Sequence, residues 1–225
     1  MLRLLGNLAR SRKLNTDALN SIAENIRAYL DAKHRAREQA LALTREVIRL
    51  SANAIRNVHR RNFDVAEELL RKARANLDET ETLLAEHRDI YHAGFVHDSQ
   101  KEYAEASCTL ALIAGRALPG NEEIGVMAGA YLNGLGETVG ELRRHLLDSL
   151  RAGDIAHCEE ALGVMGDIYD VLVTMDYPEA VTGGLRRTAD AMRGILERTR
   201  GDFTTTYMQR RLEDRLRELE GHLSK

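Results

Sequence analysis

Apolar residues recur every three to four positions along almost the whole chain, which is the period of an amphipathic α-helix. The first repeat predicts a helix over about residues 16–30, with Asn15 as its N-cap. Later repeats predict further helices over about residues 31–61, 64–88, 99–117, 122–151, 154–176, 179–200 and 204–222. No segment shows the period of two that is typical of a strand. The pattern therefore predicts an all-α fold.

Turn residues separate these helices by only a few positions. Leu118-Pro119-Gly120-Asn121 predicts a turn, Gly153 predicts a helix C-terminus, and Gly201-Asp202 predicts an interruption. Asp98 or Ser99 is predicted to cap the helix that follows. Because the connections are short, neighbouring helices should pack antiparallel, and the prediction is a bundle of about seven long helices. Helices this long leave wide flanks, so we expect the chain to form oligomers.

Composition narrows the functional classes. Of 225 residues, 4% are aromatic and none is Trp, so a nucleic-acid surface built on aromatic stacking is disfavoured. Cys108 and Cys158 have no CxxC spacing, which predicts reduced thiols and a cytoplasmic location. No apolar run reaches the ~18 residues of a membrane span. Residues 1–14 are too short and broken for a signal peptide, and we expect a frayed or partner-docked end.

Two pairs of carboxylates carry the candidate chemistry. Glu102 and Glu105 are spaced i,i+3, and Glu137 and Glu141 are spaced i,i+4, so each pair shares one helix face. Like charges this close repel unless solvent or a cation screens them. If the two pairs face each other, a Mg²⁺ or Mn²⁺ ion is the natural occupant, since these ions prefer carboxylate oxygen. The alternative is a solvated, charged helix face.

Small residues surround Glu137 and would allow a close helix approach or leave room for a substrate. His97 lies one turn before Lys101, where it is either a general acid or phosphate contact or a solvated residue at a helix start.

Basic residues form a second constellation on the predicted helix over 31–61. The members that could contact RNA phosphates are Arg45, Arg49, Arg56, His59 and Arg60, and the four arginines lie near one stripe. Such contacts would position a strand without reading its sequence. The alternative, which the sequence leaves open, is pairing of these residues with Glu38 and Glu46.

The order of four motifs resembles the translin family. The motifs are Thr44-Arg45-Glu46-Val47 followed by His59-Arg60, Glu102-Tyr103-Ala104-Glu105-Ala106, Tyr131-Leu132 with Gly140-Glu141-Leu142, and Arg200-Gly201-Asp202. Within the family, the Glu-Tyr-x-Glu motif is similar to the translin-associated factor X branch, because translin-type subunits lack it. The resemblance covers about residues 31–202. It implies a single domain over residues 1–225 with its core there and an extra C-terminal helix over 203–225.

The resemblance implies an all-α subunit that assembles into a hollow octamer. Translin binds single-stranded RNA and DNA, and factor X supplies a Mg²⁺-dependent endoribonuclease site. Glu102 and Glu105 match the first two acidic residues of that site. Glu137 matches the third, where the factor X pattern has Asp, and Glu141 matches a further acidic position. The resemblance thus implies a catalytic role for the first three and metal binding by all four.

Our hypothesis is therefore a Mg²⁺- or Mn²⁺-dependent endoribonuclease. It would act on single-stranded or unpaired RNA inside a hollow homo-oligomer, expected to be an octamer. The alternative is a non-catalytic shell that binds single-stranded RNA or DNA. A ferritin-like di-iron bundle would need Glu-x-x-His pairs, and the sequence has none near the acidic helices.

Overall fold

The computed structural model describes residues 17–223, and these form eight α-helices. Their bounds are α1 Leu19–His59, α2 Phe63–Leu83, α3 Arg88–Tyr91, α4 Gly94–Ile113, α5 Ala128–Ala152, α6 Ile155–Val173, α7 Glu179–Thr182 and α8 Leu185–Leu223. The described residues include no strand, so the all-α prediction is confirmed. Six of the helices are long rather than seven, because α3 and α7 are single turns. Residues 1–14 and Asn15 lie outside the described residues.

The first two predicted helices are one continuous helix. α1 runs for 41 residues, and the predicted break near residue 30 is wrong because neither Gly nor Pro interrupts it there. The predicted break after residue 61 is confirmed. Arg61 adopts a left-handed conformation with φ 62°, and α2 begins at Phe63. The tight turn places α1 and α2 antiparallel.

The start of α4 differs from the prediction. The helix begins at Gly94, and the Ser99 hydroxyl donates to the Val96 carbonyl inside the helix instead of capping it. Val96 is fully buried in a small cluster with Ile90 and Tyr91. The burial of this first turn explains why the helix starts earlier than its polar residues suggested.

The start of α5 is later than predicted, at Ala128. The residues before it form a turn in which Gly125 has φ 62°, a left-handed conformation that suits glycine. The Arg74 guanidinium of α2 donates a hydrogen bond to the carbonyl of Ile124 at 2.6 Å. This long-range contact fixes the turn, and local turn signals could not predict it.

The C-terminal part of the chain also differs. α7 is one turn that ends at Gly183 and Gly184, both with positive φ. α8 then continues through Gly201, so the predicted interruption there is wrong. Asp202 accepts a hydrogen bond from Arg143 at 2.7 Å, and Phe203 is buried. These contacts offset the cost of about 1 kcal/mol for a glycine inside a helix. Residues 203–223 are thus the end of α8 and form no separate helix.

The C-terminus of α5 and the N-terminus of α6 lie where the sequence predicts them. Gly153 adopts the left-handed conformation with φ 87° at the C-terminus of α5. Asp154 caps α6 by accepting a hydrogen bond from the His157 amide at 3.2 Å.

One hydrophobic cluster takes buried residues from all six long helices. α5 packs against α4, α6 and α8, which makes it the central helix of the fold. No helix within residues 17–223 is both long and apolar enough to cross a lipid bilayer.

Candidate metal centre

The close approach of α4 and α5 depends on one glycine. A Cβ atom at Gly134 would lie 2.5 Å from the carbonyl oxygen of Lys101 and 2.9 Å from the amide nitrogen of Glu105. The Thr138 hydroxyl, one turn along α5, lies 3.4 Å from the carbonyl oxygen of Glu105. The small residues around Glu137 thus bring α5 against the turn of α4 that carries the first acidic pair.

This approach brings three of the predicted carboxylates together. Glu102 and Glu105 on α4 and Glu137 on α5 each offer an oxygen atom, and these oxygens lie within 4.8 Å of one another. All three side chains are half-buried. Among the described residues, no other group of three or more His, Cys, Asp or Glu side chains converges in this way.

Burial and mutual repulsion make this cluster electrostatically costly. Burial, together with the charges of Glu137 and Glu102, raises the pKa of Glu105 to about 8. Burial also raises the pKa of Glu102, and the charge of Glu137 adds to the effect while Lys101 opposes it. A hard divalent cation would relieve this repulsion, and the donor set contains only oxygen. The residues present therefore fit Mg²⁺ or Mn²⁺.

Lys101 is part of the cluster, and the sequence analysis did not assign it to the site. Its Nζ lies 2.7 Å from a carboxylate oxygen of Glu137 and 3.6 Å from one of Glu102. Burial alone would lower the pKa of Lys101, but the hydrogen bond and charge of Glu137 raise it. The only signal in the sequence is its position directly before Glu102.

Glu141, the fourth predicted metal ligand, lies one turn beyond Glu137 and does not join the three converging carboxylates, because it has a different partner. Its carboxylate is 2.5 Å from Nε2 of His59, whose side chain is 5% exposed. The hydrogen bond from His59 lowers the pKa of Glu141, and the charges of His59 and Arg144 add to this effect. The structure therefore places His59 beside the acidic cluster rather than on the exposed stripe predicted for RNA contacts.

The other predicted RNA contacts are exposed, on α1 or directly after it: Arg45, Arg49, Arg56 and Arg60. Arg49 pairs with Glu46 one turn away through a hydrogen bond of 2.7 Å. Arg56 donates to the side-chain oxygen of Asn53 at 2.7 Å. Intrahelical pairing therefore occurs for Arg49, and contact of this stripe with RNA stays a prediction.

A cleft of about 400 Å³ gives access to the carboxylates. Glu105, Glu137 and Glu141 line it, and Arg187 at the start of α8 lies among its other lining residues. A Cβ at Gly140 would meet no atom within 4 Å, so this glycine leaves open space in the cleft. Arg187 was missed by the sequence analysis, because only the packing of α8 on α5 places it here.

His97 lies in the first turn of α4, and the interpretation of this residue as solvated is wrong. Its Nε2 is buried and has no hydrogen-bond partner among the described residues. The ring packs against Gly183, where a Cβ atom would approach Nε2 to 2.5 Å. The glycine is thus needed both for its left-handed φ and for this contact.

Comparisons with known proteins find a relative and solved structures that are similar to this chain. No family model matches the chain. The uncharacterized protein MJ0175 of Methanocaldococcus jannaschii is 30% identical over 197 residues, which is 87% of each chain. The structure of the complex between AfC3PO, an archaeal protein, and duplex RNA matches with a TM-score of 0.77 and 32% identity. That match covers 84% of this chain and 97% of AfC3PO.

Two further solved structures match over similar lengths. AfC3PO alone gives a TM-score of 0.76 at 32% identity, and the match covers 84% of this chain and 98% of AfC3PO. Apo-NeC3PO from Neurospora gives a TM-score of 0.69 at 20% identity, covering 86% of this chain and 99% of NeC3PO. At that identity the similarity to NeC3PO supports the fold alone.

Proposed function

Because the chain belongs to the translin family, we propose that it is a Mg²⁺- or Mn²⁺-dependent endoribonuclease of the factor X type. The observation that carries this proposal is the convergence of Glu102, Glu105 and Glu137 within 4.8 Å at an open cleft. RNA as the substrate class is supported by AfC3PO, which is known in complex with duplex RNA.

The three glutamates would hold the metal, and the other side chains have separate tasks. When bound, the ion would supply a more acidic water and stabilise negative charge on the phosphate and leaving oxygen. Lys101 neutralises part of the negative charge of Glu137 and Glu102. His59 holds Glu141 as a carboxylate at the cleft, where it can accept a hydrogen bond from water. The Arg187 guanidinium also lines the cleft and can bind a phosphate there.

We propose further that the chain works as a hollow homo-oligomer, expected to be an octamer. Exposed apolar side chains near the N-terminal end of α1 and the C-terminal end of α8 support self-association. These are Leu19, Ile22, Ile26, Tyr29, Leu212, Leu216 and Leu219. An enclosed site would favour single-stranded or unpaired RNA. AfC3PO takes duplex RNA, so the test must include both kinds of strand.

The test is cleavage of labelled single-stranded and duplex RNA with Mg²⁺ and with EDTA. We expect cleavage of the single strand that EDTA abolishes, and loss of cleavage in Glu102→Gln and Glu105→Gln. Glu159→Gln, which changes an exposed carboxylate on α6, is the matched control and should cleave like the wild type. Cleavage that survives both site substitutions would refute the proposal.

The alternative function is a non-catalytic shell that binds single-stranded RNA or DNA. It predicts retention of the strand in a gel with no metal-dependent cleavage. The acidic cluster favours the nuclease, because a surface that only binds strands gains nothing from three convergent carboxylates.

A further inference from the structure

Another cavity, of about 140 Å³, is lined by the part of α5 that follows Glu141, by α6, by the end of α4 and by the turn after α1. Its polar lining comes from Arg61, His145, His157 and Glu160, and we call it the basic pocket. The rest of its lining is apolar or backbone: Leu112, Ile113, Gly115, Leu142, Ala161 and Val164. Arg61, His145 and His157, from three separate parts of the chain, thus line one cavity, and none of them belongs to the metal centre.

Arg61 is held at this pocket by a strained backbone. It is the one non-glycine residue with positive φ among residues 17–223, and this conformation costs about 1 kcal/mol. Strain of this kind persists only where the surroundings impose it, and it is frequent at binding sites. The guanidinium donates one hydrogen bond, to the Ile113 carbonyl at 3.3 Å, and keeps further N–H donors for a ligand.

The two histidines add ring nitrogens to the basic pocket that can donate hydrogen bonds to a ligand. Burial lowers the pKa of His145, and the charges of Arg61, His59 and His157 lower it further, while Asp148 opposes them. The Nδ1 of His157 lies 2.8 Å from Asp154, which leaves its other ring nitrogen for a ligand. Glu160 is the one carboxylate in the lining. An anion in the pocket would therefore relieve repulsion among the basic groups.

The basic pocket and the metal centre are neighbours along α5. His145 follows Glu137, the carboxylate that α5 contributes to the metal centre, by eight residues, a rise of ~12 Å. His59 connects the two, because it bonds to Glu141 and its charge acts on His145. A strand whose scissile phosphate lies at the metal centre can therefore bring a nearby phosphate of the same strand to the basic pocket.

We propose that the basic pocket binds a backbone phosphate of the RNA close to the scissile one. The inference rests on the proposed function, and it adds a phosphate subsite built by Arg61, His145 and His157. The bidentate guanidinium and imidazole N–H groups suit a phosphate oxygen. Contacts to a phosphate position the strand and read no sequence, so the subsite should act on every RNA alike.

The test is the affinity for a short single-stranded RNA in EDTA, measured by fluorescence anisotropy over a range of salt concentrations. Arg61→Gln and His157→Gln should each weaken binding several-fold. Arg61→Gln should also reduce the salt slope by about one phosphate contact. Arg71→Gln is the matched control, because Arg71 is exposed and paired with Glu68 on α2. Since His157 is largely exposed, its variant tests the pocket even if Arg61→Gln fails to fold.

The outcomes separate this inference from the proposed function. Affinities and salt slopes equal to those of the control in both variants would overturn the subsite. A wild-type chain that binds no RNA in EDTA would overturn the subsite, whereas the nuclease is tested separately by cleavage with Mg²⁺. If the variants lose affinity but the wild type cleaves nothing with Mg²⁺, phosphate binding by the basic pocket stands and the nuclease is refuted.

Discussion

Replacing Glu105 with Gln should stabilise the metal-free protein at alkaline pH. The pKa of Glu105 is raised from 4.5 to about 8 by burial and by its carboxylate neighbours. The folded chain therefore holds a proton that the unfolded chain has already lost. The contribution of the protonated Glu105 to the stability of the fold is present in full below pH ~4.5 and is lost as the pH rises through about 8. The neutral amide of Gln removes this dependence.

The size of the effect follows from the shift. At about 1.4 kcal/mol per pKa unit, a change from 4.5 to about 8 corresponds to at most about 5 kcal/mol. Because solvent reaches the cleft and screens the charges, we expect about 1–3 kcal/mol. The free energy of unfolding of Glu105→Gln, relative to wild type, should rise by this amount between about pH 5 and about pH 8.5.

The assay is urea unfolding in EDTA, followed by circular dichroism at several pH values. Glu159→Gln controls for the loss of one exposed carboxylate. Saturating Mn²⁺ should stabilise the wild type more than Glu105→Gln, because the ion replaces the missing counter-charge. If the difference in free energy of unfolding between Glu105→Gln and wild type stays constant across this pH range, the neighbouring carboxylates and burial do not shift the pKa of Glu105, and the electrostatic argument fails.

Three further substitutions test the surroundings of the cluster. Gly134→Ala should destabilise the protein by about 1–3 kcal/mol in urea unfolding, because its Cβ would meet Lys101 and Glu105. Gly140→Ala should not destabilise it, because a Cβ there lies in open space. Equal losses of stability in the two variants would contradict this packing. Lys101→Met should tighten Mn²⁺ binding several-fold, because the substitution removes a competing ammonium from Glu137. Calorimetry measures this affinity, and weaker binding would show instead that Lys101 supports the site. His59→Phe should lower the free energy of unfolding by about 1–3 kcal/mol, because the half-buried Glu141 loses its hydrogen bond. An unchanged urea midpoint would refute this prediction.

The helices could be predicted because each buries one face, and that face sets the period. Their ends could not be predicted where distant contacts decide them. Gly201 looks like a helix stop, yet α8 continues because Phe203 is buried and Asp202 binds Arg143. Ser99 looks like an N-cap, yet the burial of Val96 starts α4 five residues earlier.

The acidic pairs could likewise be predicted, because i,i+3 and i,i+4 spacing places carboxylates on one face whatever the tertiary structure. Their meeting depends on the register of α4 against α5, which Gly134 sets. The bond between His59 and Glu141 and the assembly of the basic pocket depend on how α1 packs on α4 and how α6 packs on α5. No local spacing in the sequence encodes these contacts.

The central claim is that Glu102, Glu105 and Glu137 bind one divalent ion. Crystals of the wild type soaked in Mn²⁺ test it most directly, through the anomalous scattering of the metal. We predict one anomalous peak per chain, within coordination distance of carboxylate oxygens from all three glutamates, and no peak there in Glu105→Gln. A saturating soak that shows no peak between these side chains, or a peak that persists unchanged in Glu105→Gln, would contradict the account.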